Sequence, residues 1–194
     1  PLSQIAGLPA EIKAVGLSKQ ISSSLDAAFV AEAKFPIPAQ VLYSALFDGK
    51  QIKEADNITL IEIPFKAAGD GYHEVRIIAQ ALSPVTPGGF KDFPVIINKK
   101  GRSMAVTGLA DGAPHQVIVN VSSGGKEKPK EICLLWNGRQ LDRKPYADAV
   151  SLSFDERVVG EGPHQLQAVA FYEDGMEVRS APKVFAIEFK AHAE

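Results

Sequence analysis

The chain has 194 residues, of which 45% are hydrophobic and 23% are charged, and its formal net charge is −2 at pH 7. This length suits one large domain or two domains of about 100 residues, which is a common domain size. The charge gives no support to nucleic-acid binding, which usually requires a basic surface.

The first half of the chain alternates short strand patterns with turn signals. Residues 1–11 are an apolar lead-in, and Pro9–Lys13 predicts one helical turn because proline suits the first helical position. Asp48 and Gly49 are flanked by strand-like residues, and in that setting this dipeptide is a strong β-hairpin signal. Strands are predicted at Ala14–Leu17, Leu25–Phe35, Ile58–Phe65, His73–Ala81 and Phe93–Asn98, and a hairpin is predicted over Val41–Ile52.

The second half shows the same order of patterns. Asn137 and Gly138 take the place of Asp48 and Gly49, and a turn is predicted at 173–175. Pro182 predicts a break in the strand after that turn, because proline has no N–H to donate to a neighbouring strand. Strands are predicted at Ala105–Leu109, Val117–Val121, Ala149–Phe154, His164–Tyr172, Met176–Arg179 and Val184–Phe189, and a hairpin is predicted over Ile132–Leu141.

Landmarks in the two halves recur at a nearly constant distance. The separation is 89 residues between Gly49 and Gly138 and 91 residues between His73 and His164. Small differences in this distance fall in loops, where insertions are tolerated. The sequence therefore predicts an internal duplication that yields two all-β sandwiches of about seven strands each, at residues 1–101 and 102–194.

The pattern G-x-G-x-H-x-L-x-A-V-A-x-x-x-D-G-x-x-x-x-S-x-P at Gly160–Pro182 supports this prediction. It resembles the last two strands of the immunoglobulin-like and fibronectin-like modules strung along bacterial secreted and cell-surface proteins. The resemblance implies two tandem Ig-like β-sandwich domains and a location outside the cytoplasm: secreted, periplasmic or at the cell surface. Such modules serve as spacers, adhesins, assembly subunits or attachments to enzymes, so the resemblance implies a fold more specifically than a function.

No constellation of catalytic residues is visible in the sequence. No serine lies in a G-x-S-x-G motif, and no glycine-rich phosphate loop is present. Cys133 is the only cysteine, so a disulfide within the chain and a cysteine zinc site are excluded, and its strand-like surroundings predict a buried, inert thiol. His73 and His164 occupy equivalent positions, which favours a structural role, with each ring bonded to a backbone group of the preceding corner. We therefore expect no enzyme and no cofactor.

Calcium binding stays open at this point. Asp48, Asp70, Asp111 and Asp174 all lie at turns, and carboxylates at turns suit a hard cation. Each of them also precedes a glycine, and the turn-forming tendency of Asp-Gly alone explains the aspartate.

Protein–protein contact is the leading functional prediction. The chain would be a non-catalytic structural or assembly protein, as an accessory subunit of a larger complex or as a spacer in a surface protein, with a protein partner or through self-assembly. Ile78, Val169 and Phe171 are apolar residues on the strand faces opposite the predicted cores, and together with Tyr146 they are the candidate partner-contact residues. No run of about 18 apolar residues exists, so we expect no membrane insertion.

The alternative is a carbohydrate-binding module attached to or associated with an extracytoplasmic enzyme. A polysaccharide would require aromatic rings that project from a sheet or a loop. Aromatic residues make up 8% of the chain, and the candidates are Phe171, Tyr43, Phe47 and Tyr146.

Overall fold

The computed structural model describes residues 11–22, 25–36, 38–82, 88–111, 116–153 and 162–187. The chain divides into two compact units, of which the first holds Pro1–Ala68 and His73–Ile97 and the second holds Gly69–Tyr72 and Asn98–Glu194. All regular structure in the described ranges is β-strand. Those ranges accordingly contain no helix that could cross a lipid bilayer.

The first unit consists of two sheets. One sheet has the order β1-β3-β6, and the other runs β5-β4-β7-β8, with β2 added in parallel to the end of β8. The strands are β1 (Glu11–Val15), β2 (Gln20–Ile21), β3 (Ala27–Lys34), β4 (Gln40–Phe47), β5 (Lys50–Asp56), β6 (Leu60–Ile63), β7 (Gly71–Leu82) and β8 (Gly88–Ile97).

The second unit repeats this arrangement. One sheet has the order β9-β10-β13, and the other runs β12-β11-β14, with both β15 and β16 paired to β14. The strands are β9 (Ser103–Asp111), β10 (Gln116–Gly124), β11 (Glu131–Trp136), β12 (Arg139–Pro145), β13 (Ala149–Ser153), β14 (Gly162–Phe171), β15 (Glu177–Arg179) and β16 (Lys183–Ile187). The gap between β15 and β16 contains Pro182, as predicted from its missing N–H.

The period-two patterns of the sequence decide which side of each strand enters a core. In β7, Val75, Ile77 and Ala79 are completely buried, while Arg76 and Ile78 between them are partly exposed. The second unit buries Leu166, Ala168 and Ala170 of β14 in the same way, as predicted.

Both predicted hairpin turns are present and have the same backbone conformation. Asp48 and Gly49 have φ angles of 50° and 77°, and Asn137 and Gly138 have 48° and 77°. Two successive positive φ angles match the right-handed twist of the flanking strands, and Asn, Asp and Gly tolerate them best. The turns join β4 to β5 and β11 to β12.

The helical turn predicted at Pro9–Lys13 is wrong for the part that the structure describes. Glu11–Val15 forms strand β1 and pairs antiparallel with β3. Ile12 is 1% exposed and Ala14 packs against the same core, so alternate burial outweighs the local helix signal of the proline.

Each unit is an immunoglobulin-like β-sandwich. A three-stranded sheet faces a sheet in which two central strands carry a hairpin partner on one side and the final strands on the other, which is the arrangement of this fold and of its fibronectin relatives. The predicted boundary between residues 101 and 102 stays a prediction.

Candidate functional site

The four predicted contact residues lie in different units and in different surroundings. Ile78 belongs to β7 of the first unit, whereas Val169 and Phe171 belong to β14 of the second. Tyr146 follows β12 and packs against the core of the second unit. Their role in binding a partner stays a prediction.

Ile78 lies on what we term the first outer face, the outward surface of β7 and β8 formed by Arg76, Ile78, Leu82, Phe90 and Asp92. Leu82 is 46% exposed and Phe90 is 62% exposed, while Ile78 is half-buried. Arg76 donates two hydrogen bonds to Asp92, from Nε to Oδ1 at 2.6 Å and from Nη2 to Oδ2 at 2.9 Å. The Cζ atom of Arg76 lies 4.5 Å from the centre of the Phe90 ring.

Phe90 and Leu82 are contact candidates that the sequence reasoning missed. The run Gly88–Pro94 resembles a glycine-rich loop, yet it forms the first part of β8. The sequence did contain a strand signal here. Phe93, Val95 and Ile97 fall on one side of a strand, with the last two completely buried, and Phe90 and Asp92 fall on the other side.

Val169 and Phe171 lie on the outward surface of β11, β12, β14 and β15, but neighbouring side chains cover them. Val169 is 4% exposed and pairs with Cys133 on one side and Arg179 on the other. The guanidinium of Arg143 lies 3.5 Å from the centre of the Phe171 ring. Long basic side chains thus shield this apolar strip while their charged ends stay in water.

Tyr146 is held in place by its own unit. Its backbone N–H donates to Lys130 O at 3.0 Å, and its hydroxyl donates to Asp148 Oδ1 at 2.7 Å. Burial of the ring raises the pKa of the Tyr146 hydroxyl.

Two of the aromatic residues named for sugar binding are core residues. Tyr43 is 6% exposed, and its hydroxyl accepts the N–H of Ala33 at 3.1 Å. Phe47 is 8% exposed, with its ring edge-on to Phe65 at 5.8 Å and stacked on His73 at 5.3 Å. The interpretation of Tyr43 and Phe47 as sugar platforms is wrong, because β4 turns both rings inward.

The two equivalent histidines contact the two equivalent hairpin turns. His73 Nδ1 lies 2.6 Å from Asp48 Oδ2, and His164 Nδ1 lies 3.0 Å from Asn137 Nδ2. Each turn residue also accepts a backbone N–H through Oδ1, from Glu74 at 3.0 Å and from Gln165 at 2.7 Å. Each histidine therefore helps to hold its hairpin turn in place. We term these contacts the hairpin clasp: Asp48 with His73 in the first unit, and Asn137 with His164 in the second. The expected bond from each histidine to the preceding corner stays a prediction.

The turn aspartates of the second unit are engaged by N–H donors. Asp70 is 4% exposed and accepts the backbone N–H groups of Lys99, Lys100 and Arg102 at 2.8, 2.7 and 3.1 Å. Asp174 accepts Lys100 Nζ at 2.9 Å and Arg102 Nη1 at 3.0 Å. The bond from Lys100 is the main reason why the pKa of Asp174 falls to about 2.

Calcium has no assembled site in the part of the chain that the structure describes. No group of three or more His, Cys, Asp and Glu side chains there is placed to hold a metal ion. The side chain of Asp111 lies outside the described residues.

A basic cleft is a second feature that the sequence reasoning missed. It lies at the open side of the first sandwich, between β1 and β8, and has a volume of about 380 Å³. Lys13, Lys19 and Lys91 line it together with apolar residues, and its lining contains no carboxylate. The lysines are far apart in the sequence and only the fold brings them together.

Comparison with known proteins gives matches in structure only. No protein-family model matches the chain, and no curated protein matches it. The chain is similar to the fibronectin(III)-like modules of CbhA from Clostridium thermocellum, with a TM-score of 0.36 and 14% identity over 95% of this chain and 100% of that one. It is also similar to SGBP-B of a mixed-linkage glucan utilization locus of Bacteroides ovatus, with a TM-score of 0.38 and 11% identity over 90% and 47% of the two chains.

A third similar structure is the tetra-tandem repeat in the extending region of a large adhesion protein, with a TM-score of 0.36 and 8% identity over 93% and 49% of the two chains. The chain thus spans about half the length of the Bacteroides ovatus protein and of the adhesion protein. All three matches have low identity, and the immunoglobulin-like fold of each unit follows from its own sheet order.

Proposed function

We propose that the chain is a non-catalytic structural or assembly protein that binds a protein partner through the first outer face. The observation that carries this proposal is the exposure of Phe90, at 62%, on an outer face that also holds Ile78 and the 46% exposed Leu82 of the neighbouring strand. Single exposed apolar residues are normal on a protein surface, but a group of them with a polar rim is typical of contact sites.

The composition of this face suits the centre of a protein interface. Aromatic residues and arginine are enriched at interface centres, and Phe90 lies against the guanidinium of Arg76. The ion pair with Asp92 holds that guanidinium in place, so little side-chain freedom is lost on binding. Burying the Phe90 ring completely would contribute about 1.5–3 kcal/mol to the binding free energy.

The same proposal includes the role of the chain. It acts as an accessory subunit of a larger complex or as a spacer in a surface protein, outside the cytoplasm. Fractionation of the native cells, followed by detection of the chain, tests the location, and recovery in the cytoplasm would contradict it.

The test of the contact is co-purification and mass photometry of the native protein beside two variants. Phe90→Ser removes the exposed ring, and Leu60→Ser removes a 48% exposed residue from β6 in the other sheet of the same unit. We expect Phe90→Ser to weaken partner association at least tenfold and Leu60→Ser to leave it unchanged. A lone monomer without any partner, or equal effects of the two variants, would refute the proposal.

One observation favours carbohydrate binding as the second candidate function. The exposed ring of Phe90 could stack on a sugar, and the adjoining Arg76–Asp92 pair offers donors and acceptors for hydroxyl groups. Pull-down on insoluble glycans with the parent and Phe90→Ala tests this, with Phe171→Ala as the matched control because Arg143 covers that ring. Absence of retention of the parent would remove this candidate.

A further inference from the structure

Within the described ranges, no strand lies between β1 and β8 at the edge of the first unit. Among the described residues β1 pairs only with β3, and β8 has β2 on its far side only at Ile96 and Ile97. The basic cleft of about 380 Å³ lies along this edge. It is separate from the first outer face, which lies on the outward surface of β7 and β8.

The backbone of β1 points hydrogen-bonding groups toward the open edge. Ala31 donates its N–H to Thr59 O at 2.8 Å and Ala33 donates to the Tyr43 hydroxyl at 3.1 Å, so both point away from β1. Ala31 lies opposite Ala14, and Ala33 lies opposite Ile12. These are therefore the non-hydrogen-bonded pairs of the antiparallel ladder.

It follows that the N–H and C=O groups of Ile12 and Ala14 face the cleft. In a non-hydrogen-bonded pair, each residue directs its backbone groups away from the other strand. Ile12 and Ala14 thus present two N–H and two C=O groups at the spacing that an added strand requires.

On the opposite wall of the cleft, β8 is a poorer template. Ile96 donates its N–H to Lys19 O at 2.9 Å, on the side away from β7. Pro94, two residues earlier, faces the same side and has no N–H to donate. A strand that entered the cleft would therefore pair with β1.

The side chains of the cleft determine which strand would fit. Ala14, Leu17 and Phe93 are partly exposed and provide apolar surface inside it. Lys91 lies on β8, with Nζ 5.4 Å from the centre of the Phe93 ring. Lys13 lies on β1, at the opposite side of the cleft. Lys13 is ion-paired with Glu11 of the same strand, with Nζ 3.0 Å from Oε1. The lining itself holds three lysines and no carboxylate, so an acidic side chain would be attracted to Lys19 and Lys91 and would compete with Glu11 for Lys13.

We propose that this cleft binds an extended acidic segment of a partner protein, which adds to the first unit as a strand beside β1. Successive side chains of a strand point to opposite faces, so the segment would alternate apolar with acidic residues. The apolar residues would pack on Ala14 and Phe93, and the acidic ones would lie near Lys13 and Lys91. Main-chain hydrogen bonds to Ile12 and Ala14 would provide affinity, and the lysines would provide selectivity.

The test uses the full chain and two labelled synthetic peptides, acetyl-TVEVEVT-amide and its matched control acetyl-TVKVKVT-amide. Fluorescence anisotropy is expected to show that the acidic peptide binds at least tenfold more tightly than the basic one. Added salt is expected to reduce this difference, because exposed charges are screened. Equal binding of the two peptides, or no binding of the acidic peptide, would refute the proposal.

Variants then locate the site. Lys13→Glu combined with Lys91→Glu is expected to weaken binding of the acidic peptide at least tenfold, while Lys50→Glu, at the start of β5 in the same unit, leaves it unchanged. Ala14→Pro removes an N–H that β3 does not use, and is expected to abolish binding while the thermal transition of the unit is kept. Unchanged binding in the double lysine variant would overturn the assignment even if Ala14→Pro failed to fold.

Self-association is the competing occupant of this edge. If the parent forms a dimer in mass photometry, and the double lysine variant is monomeric, the edge binds another copy of this chain and the proposal of an acidic partner segment is wrong. A parent that binds the acidic peptide as a monomer supports the proposal. Amide NMR signals of Ile12 and Ala14 that shift on peptide addition would support it further.

Discussion

The turn residue Asn137 supports a prediction about how the hairpin clasp stabilises the second unit. Asn137 has a φ angle of 48°, and its side chain binds the N–H of Gln165 at 2.7 Å and the ring of His164 at 3.0 Å. Alanine at this position would be strained by about 1 kcal/mol in the left-handed region. The two lost hydrogen bonds would each cost about 0.5–1 kcal/mol, so Asn137→Ala should lower the free energy of unfolding by about 2 kcal/mol.

Two further variants separate these contributions. Asn137→Gly keeps the positive φ without strain and loses both bonds, so we expect about 1 kcal/mol of destabilisation. Asn137→Asp keeps the acceptor for Gln165 and reproduces the Asp48–His73 contact of the first unit, so we expect a stability near that of the parent.

Urea unfolding followed by tryptophan fluorescence measures this effect. Trp136 is the only tryptophan and lies 4.9 Å from the His164 ring, so its signal reports on the second unit. With a slope of about 2 kcal/mol per molar urea, Asn137→Ala should shift the midpoint by about 1 M. Asn57→Ala, in a turn of the first unit, is the control and should not shift it.

The clasp interpretation fails under two results. The first is an Asn137→Ala midpoint that coincides with that of the parent. The second is an Asn137→Asp variant as unstable as Asn137→Ala, because the first unit uses aspartate in the same clasp.

Three other outcomes can be checked on the second unit. The pKa of Asp174 is lowered to about 2, mainly by the bond from Lys100, so its contribution to stability is complete at neutral pH and is lost as the pH falls from about 4 toward 2. The melting temperature of the parent should therefore fall more steeply between about pH 4 and pH 2 than that of the Asp174→Asn variant. Equal dependence of the two melting temperatures on pH would contradict this prediction. Leu166 is completely buried, so Leu166→Ala should cost about 2–5 kcal/mol in urea unfolding, and a loss below about 1 kcal/mol would indicate that β14 faces another way. Cys133 is 1% exposed and should react with a thiol reagent only as the unit unfolds, whereas rapid reaction of the native protein would show an open strand face.

The candidate contact surfaces show how far sequence patterns reach. Alternation in β14 correctly predicts which side of the strand enters the core, and it places Val169 and Phe171 on the other side. It does not predict that Val169 is 4% exposed, because its cover depends on side chains of other strands. Arg143 lies over Phe171 only because β12 pairs with β11, which pairs with β14.

The basic cleft illustrates the same limit in the first unit. Lys13 and Lys91 are 78 residues apart in the chain, and neither lies in a basic run. They line one cleft because β1 ends one sheet and β8 lies at the open side of the other.

The sequence by itself determined the inward sides of β7 and β14 and the two equivalent hairpins, because these depend on residues a few positions apart. The dipeptides at Asp48 and Asn137 illustrate this, since positive φ angles select Asn, Asp and Gly locally. Only the tertiary structure decided that Phe90 is exposed, that Phe171 is covered and that three lysines line one cleft. Exposure and charge at a surface depend on which distant strands pair, and this pairing is not encoded in any single stretch of the chain.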